Sequence, residues 1–345
     1  MVTPRNRHRK TTLPLNIPEL DAPIVAEIRR AIESANHILA IVHSGPDGDA
    51  VASLTAVGVA LSQWNKKVAL LCDDNVPERF HFLPHATQVK RPPFRRQVDL
   101  IIALDCGDEQ RMGQSFAGLP APRPPVINID HHATNTRFGQ INLVLDTAVS
   151  TTEILYHLFT TWELALTSDL ALCLLTGLVT DTMGFRTIGT NADTLHIAAA
   201  LVAAGADLPL VTTQALNLKE WSTVQLWRYG LNNMQFEDGL VWTTITHQER
   251  KAAGHNGSSS NGLSNILADV DEAAMGAVLI EMGDGNVRVG LRCRPPYNVG
   301  KVAQNLGGGG HSLAAGCTLP GPLAAAENTV VTACKAAIRQ QSKES

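Results

Sequence analysis

Short apolar runs that stop at a histidine or an aspartate are the feature that most constrains the N-terminal half of this chain. The runs at 38–42, 100–104 and 126–129 end directly before His43, Asp105 and Asp130. Such runs are typical of buried parallel strands, and helical apolar spacing lies between them, so the pattern predicts a doubly wound α/β sheet. Because ligands bind beyond the carboxyl ends of such strands, we expect these three side chains to converge.

The length of 345 residues favours two domains, since a single core rarely grows to this size. We predict a first α/β domain at 18–207, a helical linker at 208–233 and a smaller α/β domain at 234–341, with the active-site cleft between the two. Strand patterns at 241–246, 276–281 and 287–292 support the second domain. Residues 1–17 contain several cations and are predicted to form a flexible basic tail.

Four clusters of metal-competent residues lie in the first domain. The loop His43-x-x-x-Asp47-x-Asp49 precedes a helix, and Asp105 and Asp130-His131-His132 each follow a strand. Asp181 ends a strongly apolar helix, where a buried carboxylate needs a partner such as a cation. Helix caps, turn residues or a satisfied buried histidine pair are the alternative for each cluster taken alone.

A glycine run in the second domain suggests an anion site. The backbone N–H groups of Gly307 to Gly310, directly before His311, can form an anion-binding nest, although a flexible hinge is the alternative. Arg288 and Arg292 alternate with apolar positions on the preceding strand. The predicted substrate-side residues of this domain are Arg292, Arg294, Gly308, Gly309, Gly310 and His311.

Charge and composition exclude several classes of function. Lys and Arg number 28 against 32 Asp and Glu, which gives a net charge of −4 and argues against a protein that coats long nucleic acid. A small anion held by a few local cations remains compatible with this charge. The six cysteines form no C-x-x-C pair, which predicts reduced thiols and a cytoplasmic location. No apolar run is long enough to cross a bilayer, so we expect no membrane partner.

Taken in order, these motifs resemble the DHH phosphoesterase superfamily, whose name matches Asp130-His131-His132. The C-terminal segment G-G-G-G-H-S-L-A-A-G looks like the DHH-associated domain of that superfamily. The segments D-C-G-D-E-Q-R-M-G, N-I-D-H-H-A-T-N-T-R-F-G and T-D-T-M-G-F-R-T-I-G-T-N are most similar to the NrnA group of bifunctional oligoribonucleases and pAp phosphatases.

The resemblance implies a catalytic first domain that holds two divalent cations, with manganese as the expected metal. The implied metal ligands are His43 and Asp47 for the first ion, Asp49, His131 and Asp181 for the second, and Asp105 as the bridge. His132 is implied to lie near the scissile phosphate, and Asp130 to orient its neighbours. Asn135 is a further substrate-side candidate.

The implied activity is hydrolysis of short single-stranded oligoribonucleotides (nanoRNA) to mononucleotides and dephosphorylation of pAp (3′-phosphoadenosine 5′-phosphate) to AMP. Long duplex DNA is not an expected partner, and a homodimer is left open. A phosphodiesterase for cyclic dinucleotides or pApA is the nearest alternative, because only the capture pocket would differ. The motifs match a family II pyrophosphatase, a RecJ-type exonuclease or a non-catalytic nucleotide sensor less well than they match the NrnA group.

Overall fold

Two compact units make up the chain, with the division between Leu218 and Lys219. The structure is a computed structural model that describes residues 20–257 and 259–344, so the predicted tail at 1–17 lies outside the described residues. The segment at 208–233, predicted to be a linker, spans the division. The predicted domain boundaries and the cleft stay predictions.

The first unit is built on a five-stranded parallel sheet, sheet A, in the order β2-β1-β3-β4-β5. Its strands are β1 (His37–Val42), β2 (Lys67–Leu71), β3 (Leu100–Leu104), β4 (Val126–Asp130) and β5 (Ile141–Val144). The predicted doubly wound parallel sheet is confirmed. Strand β5 was not predicted, because it is only four residues long and contains Asn142.

Helices cover sheet A and complete its core. They are α1 (Ala22–Ser34), α2 (Gly48–Ser62), α3 (Gly113–Ala117), α4 (Thr151–Thr161), α5 (Ser168–Asp181), α6 (Ala192–Ala203) and α7 (Leu208–Val211), followed by a π-helical turn at Thr212–Asn217. Short 3₁₀ turns lie at Glu78–Phe80, Ala86–Gln88 and Glu109–Met112. Helices α2 and α5 pack tightly against each other: a Cβ atom built on Gly48 would lie 2.5 Å from Cγ2 of Thr180. This contact brings the start of α2 next to the end of α5.

The second unit contains a six-stranded sheet, sheet B, in the order β10-β11-β9-β8-β7-β6. Its strands are β6 (Gln235–Glu237), β7 (Leu240–Ile245), β8 (Met275–Glu281), β9 (Asn286–Cys293), β10 (Gly309–Gly310) and β11 (Ala314–Pro320). Only β7 and β8 pair in parallel. Its helices are α8 (Trp221–Asn232), α9 (His247–Ala252), α10 (Leu263–Ala268), α11 (Val299–Asn305) and α12 (Leu323–Glu344). The predicted smaller α/β domain is confirmed.

Alternation along β9 decides which side chains of sheet B face the core. Val287, Val289 and Leu291 are buried together with residues of α11 and α12. Arg288 and Arg292 therefore lie on the opposite face of the sheet.

In the described part of the chain no single helix is long and apolar enough to span a bilayer, and the one pair that reaches that length, α6 with the segment Leu208–Asn217, is bent by 114°.

Candidate metal centre and substrate cavity

The carboxyl ends of β1, β3 and β4 bring the predicted histidines and aspartates together. Asp105 lies at the centre, 2% exposed, with a left-handed backbone (φ 57°) directly after β3. Its Oδ2 atom is 3.6 Å from Nε2 of His43, and its Oδ1 atom is 3.6 Å from Nε2 of His131. The parallel sheet produces this convergence, because neighbouring parallel strands end at the same edge.

Two groups of potential metal ligands meet around Asp105. Within each group the donor atoms lie within 4.8 Å of one another. The first group is His43, Asp47 and Asp105, and the second is Asp49, His131 and Asp181. A third, overlapping group is Asp105, Asp130, His131 and His132. The structure thus brings all six predicted metal ligands into one site, and their individual ligand roles stay predictions.

The hydrogen bonds of two imidazoles leave the same ring atom available in each. Nδ1 of His43 donates to the carbonyl oxygen of Ser44 at 2.9 Å, and Nδ1 of His131 donates to that of Ala148 at 3.4 Å. Both Nε2 atoms consequently face the carboxylates. Metal-bound histidines usually donate their second ring N–H to a carbonyl or carboxylate in this way. The arrangement therefore suits cation binding through Nε2.

The N-terminus of α4 holds two of the carboxylates in place. The backbone N–H of Thr151 donates to Oδ2 of Asp49 at 2.6 Å, and the Thr152 hydroxyl donates to Oδ1 of Asp49 at 2.8 Å. The Thr151 hydroxyl also donates to Oδ1 of Asp105 at 3.0 Å. Neither threonine was predicted from the sequence. The available signal was Ser150-Thr151-Thr152-Glu153, a pattern that begins a helix and leaves N–H groups free for an anion.

The charge of the site fits a divalent cation. Burial, and next the charges of Asp105 and Asp47, raise the pKa of the Asp181 carboxyl to about 8. Burial and repulsion from Asp105 and Asp181 likewise raise the pKa of Asp49 well above its usual value. Burial lowers the pKa of His43, but the nearby carboxylates of Asp105 and Asp47 outweigh it and raise the value to about 10. A bound cation removes this crowding of negative charge, and oxygen and imidazole donors suit hard and borderline divalent metals.

Asp130 sits behind the centre and orients the neighbouring side chains. It is fully buried; its Oδ1 atom accepts from Nδ1 of His132 at 2.7 Å, and its Oδ2 atom accepts from Nδ2 of Asn135 at 2.6 Å. Asn135 also donates to the carbonyl oxygen of Cys106 at 3.0 Å. The Asn135 amide therefore helps to fix the position of Asp130, and the substrate contact predicted for it stays a prediction. Because Nδ1 of His132 is engaged, Nε2 is its atom available to a substrate.

The hydrogen bond between His132 and Asp130 shifts the pKa of each group, and the shift of His132 can be measured. The hydrogen bond to Asp130 is the largest cause that raises the pKa of His132 above 6.5. In chelator-treated protein, Asp130→Asn is expected to lower the His132 pKa towards or below that value, as followed by histidine NMR. Burial raises the pKa of Asp130, but hydrogen bonds from His132 and Asn135 outweigh it and lower the value below 3.8.

The same shifts affect stability in a defined pH window. The charged pair stabilises the metal-free fold fully between pH 3.8 and 6.5. This contribution is lost as the pH rises through the raised pKa of His132, or falls through the lowered pKa of Asp130. Asp108→Asn, at the half-buried cap of the 3₁₀ turn Glu109–Met112, is the control that should leave the His132 pKa unchanged. An unchanged His132 pKa in Asp130→Asn would contradict the assignment.

A polar cavity of about 460 Å³ lies on the face of sheet B opposite its α11–α12 core. Arg288 and Arg292 enter it from β9, and Gly308 lines it from the glycine run. Nε of Arg292 donates to Oδ1 of Asn265 at 2.8 Å, which fixes the guanidinium plane. Ser259 and Ser260 from the loop before α10, together with Ser264 within α10, add to the polar lining. Two guanidinium groups in a cavity of this size suit a phosphorylated ligand.

Two predicted substrate-side residues lie outside this cavity lining, and their contact with a substrate stays a prediction. The guanidinium of Arg294 donates to the carbonyl oxygens of Val270, Asp271 and Ala273 at 2.7–3.1 Å, so it caps a turn outside the cavity lining. His311 is exposed and also lies outside that lining. For Arg294 the reason is that β9 ends at Cys293, beyond which strand alternation no longer determines the direction of a side chain.

Close packing explains two glycines of the run. Strand β10 pairs with β11, and a Cβ atom on Gly308 would lie 2.2 Å from the carbonyl oxygen of Gly316. A Cβ atom on Gly310 would lie 2.6 Å from that of Ala314, whereas one on Gly309 would meet nothing within 4 Å. The structure therefore gives Gly308 and Gly310 a packing role, whereas Gly307 and Gly309 are open backbone positions.

Comparison with known proteins decides the family. Residues 37–178 match the family described as "DHH family, N-terminal domain", and residues 243–340 match the DHHA1 domain. The bifunctional oligoribonuclease and PAP phosphatase NrnA of Thermus thermophilus is 31% identical over 300 residues, which are 86% of this chain and 88% of that protein. The chain belongs to the DHH family. It is a DHH-family phosphoesterase, and the predicted resemblance is confirmed.

Other DHH-family relatives extend the comparison. The NrnA protein of Bacillus subtilis is 23% identical, covering 85% of this chain and 92% of that protein. An exopolyphosphatase-related protein from Bacteroides fragilis has the same fold, with a TM-score of 0.86 at 21% identity over 94% of this chain and 99% of that one. DHH-family phosphoesterases use divalent metals, and this chain gathers the acidic residues and histidines for them.

Proposed function

We propose that this protein is a manganese-dependent phosphoesterase that hydrolyses short oligoribonucleotides to mononucleotides and dephosphorylates pAp to AMP. The observation that carries the proposal is the pair of ligand groups that meet around Asp105 at the carboxyl ends of the sheet A strands. The names of the Thermus thermophilus and Bacillus subtilis relatives support the two substrate classes. The presence of two imidazoles among the ligands favours manganese over magnesium. All six cysteines are free and buried, which supports a cytoplasmic location.

The first unit supplies the metal ligands and His132, and the second unit supplies the arginines for a phosphate. His43, Asp47, Asp49, Asp105, His131 and Asp181 would hold two divalent ions, which neutralise the charge of a phosphate ester and acidify the attacking water. The hydrogen bond to Asp130 raises the pKa of His132 and so favours its protonated form, which can donate a proton to the leaving oxygen. Arg288 and Arg292 pair with a substrate phosphate, and Asp130 keeps the His132 ring in one orientation.

A substrate panel tests the proposal directly. Purified protein with manganese is given an RNA dinucleotide, pAp, pApA, cyclic-di-AMP and a long duplex DNA, and the products are separated by chromatography. We expect mononucleotides from the dinucleotide and AMP from pAp, with no reaction after chelation. The Asp105→Asn protein, prepared in parallel, is the contamination control. Tight binding of pAp without turnover would contradict the proposal and favour a sensor, and turnover of cyclic-di-AMP or pApA alone would favour the alternative phosphodiesterase.

Loss of the sheet B arginine is expected to affect substrate capture more than chemistry. Arg292→Ala removes a charge-assisted hydrogen bond to the phosphate, so KM for pAp should rise about tenfold or more while kcat changes little. Lys251→Ala, an exposed cation of the same unit, is the matched control. Steady-state kinetics in manganese measures both values. An unchanged KM in Arg292→Ala would remove this cavity from the proposal.

A further inference from the structure

A second cavity, of about 480 Å³, lies in the first unit along the outer edge of β2. Its walls come from β2, the end of α2 and the loop at 85–98. His37, the first residue of β1, lines this cavity, whereas His43 of the metal centre directly follows the end of β1. Six residues of strand span about 20 Å. The cavity is therefore separate from the candidate metal centre.

Positive charge dominates this cavity. Lys67, Lys90 and Arg96 line it and are exposed, and none of the described carboxylates forms an ion pair with them. The residues that line it, all in the described part of the chain, include no aspartate or glutamate. The nearby Asp99 does not line the cavity, and its carboxylate is engaged by the backbone N–H groups of Asn36 and His37. Cations that are not neutralised by the protein attract an anionic ligand.

An apolar wall and an open strand edge complete the cavity. Val68, Phe94 and Val98 line it, and Phe94 is 8% exposed. The carbonyl oxygen of Leu70 accepts from the N–H of Lys90 on the outer side of β2. Since residues alternate sides along a parallel strand, the N–H and C=O of Val68 face the same outer side. The cavity thus offers a backbone donor and acceptor beside an apolar surface.

These features together define the chemistry of the ligand. The cations require an anionic group, the apolar wall suits a flat ring, and the strand edge suits a ring that carries both a donor and an acceptor. A cavity of this volume is typical of small-ligand sites. We propose that the cavity at the edge of β2 binds a nucleoside phosphate, in addition to and apart from the catalytic site.

Photolabelling locates the site without relying on hydrolysis. Full-length protein is irradiated with an azido-adenosine monophosphate probe, and labelled peptides are identified by mass spectrometry. We expect labelled peptides within 67–98, and we expect excess AMP to prevent the labelling. Inorganic phosphate at the same concentration should compete weakly, because it lacks the ring. Labelling only within the second unit, or equal competition by inorganic phosphate, would overturn the proposal.

Two sets of variants connect the label to the cations. Combining Lys67→Glu, Lys90→Glu and Arg96→Glu should reduce labelling at 67–98 at least about tenfold, because each ionic contact is lost and repulsion replaces it. Lys90→Ala with Arg96→Ala is the milder variant, and Lys301→Glu, at an exposed lysine of the second unit, is the control. Dinucleotide hydrolysis should remain within about twofold of wild type in all three, since none of these described side chains forms an ion pair with the predicted metal ligands. Undiminished labelling in both sets of cavity variants would overturn the proposal.

The photolabelling also separates this inference from the proposed function. Label at 67–98 combined with absent hydrolysis would contradict the phosphoesterase activity on these substrates and support the second site. Normal hydrolysis combined with absent label at 67–98 would support the phosphoesterase activity and contradict the second site.

Discussion

Asp105→Ala is expected to reduce hydrolysis of a dinucleotide at least about a thousandfold, the largest effect of any single substitution considered for this protein. The Asp105 carboxylate belongs to the first ligand group and also lies 3.6 Å from Nε2 of His131 in the second, the same distance as from Nε2 of His43. Its loss removes a shared negative charge from both positions at once. The expected cause is loss of metal, so the manganese content of the purified protein should fall together with the rate.

Metal analysis and kinetics on one preparation test this expectation. Manganese per chain is measured by mass spectrometry after dialysis, beside the initial rate on the dinucleotide. Asp146→Ala, at an exposed aspartate after β5, is the matched control and should retain both values. Wild-type-like rates in Asp105→Ala would reject the shared site. Normal metal content with lost activity would show that Asp105 acts on the substrate instead.

Gly177→Ala is expected to disrupt the same metal centre through the contact between α5 and Asp49. A Cβ atom at this position in α5 would lie 2.3 Å from Oδ1 of Asp49 and 2.4 Å from Cγ2 of Thr152. Neither neighbour can move freely, since Thr152 donates to Asp49 at 2.8 Å. We expect a loss of about 1–3 kcal/mol in the free energy of unfolding from overpacking. Manganese affinity should fall about 10–100-fold, because the support of a ligand is displaced.

Two measurements separate the loss of stability from the loss of manganese affinity. Denaturant unfolding with and without manganese gives the stability loss and its metal-dependent share. Gly58→Ala in α2 is the control, because the nearest atom is the flexible end of Leu70 at 3.3 Å. That variant should remain stable, since alanine favours a helix interior over glycine. Unchanged metal affinity in Gly177→Ala would contradict the role given to the contact between α5 and Asp49.

The parts of the site that sequence predicts are those tied to strand ends. His43, Asp105 and Asp130 each follow a short apolar run, and parallel topology then requires them to meet. Asp181 was found because an aspartate at the end of a buried helix needs a partner. At each of these positions an apolar segment ends at a polar or charged side chain that needs a partner, and this pattern is visible in the sequence.

The parts that sequence did not predict depend on tertiary packing. Thr151 and Thr152 look like ordinary residues at the start of a helix, and only the fold places them against Asp49, about 100 positions earlier in the chain. Arg294 and Arg292 are two residues apart and appear equivalent in sequence, yet the end of β9 gives them different partners. Strand β11 begins with Ala314 and contains Gly316, which carry little strand signal. Pairing with β9 stabilises it in the folded chain.

The most direct measurement of the central claim is anomalous diffraction at the manganese edge from crystals of the full chain grown with manganese. We expect two peaks per chain, one in contact with His43 and Asp47, the other with Asp49, His131 and Asp181, and both in contact with Asp105. A single peak, no peak within this pocket, or peaks held by other residues would contradict the two-ion centre on which the proposed hydrolysis depends.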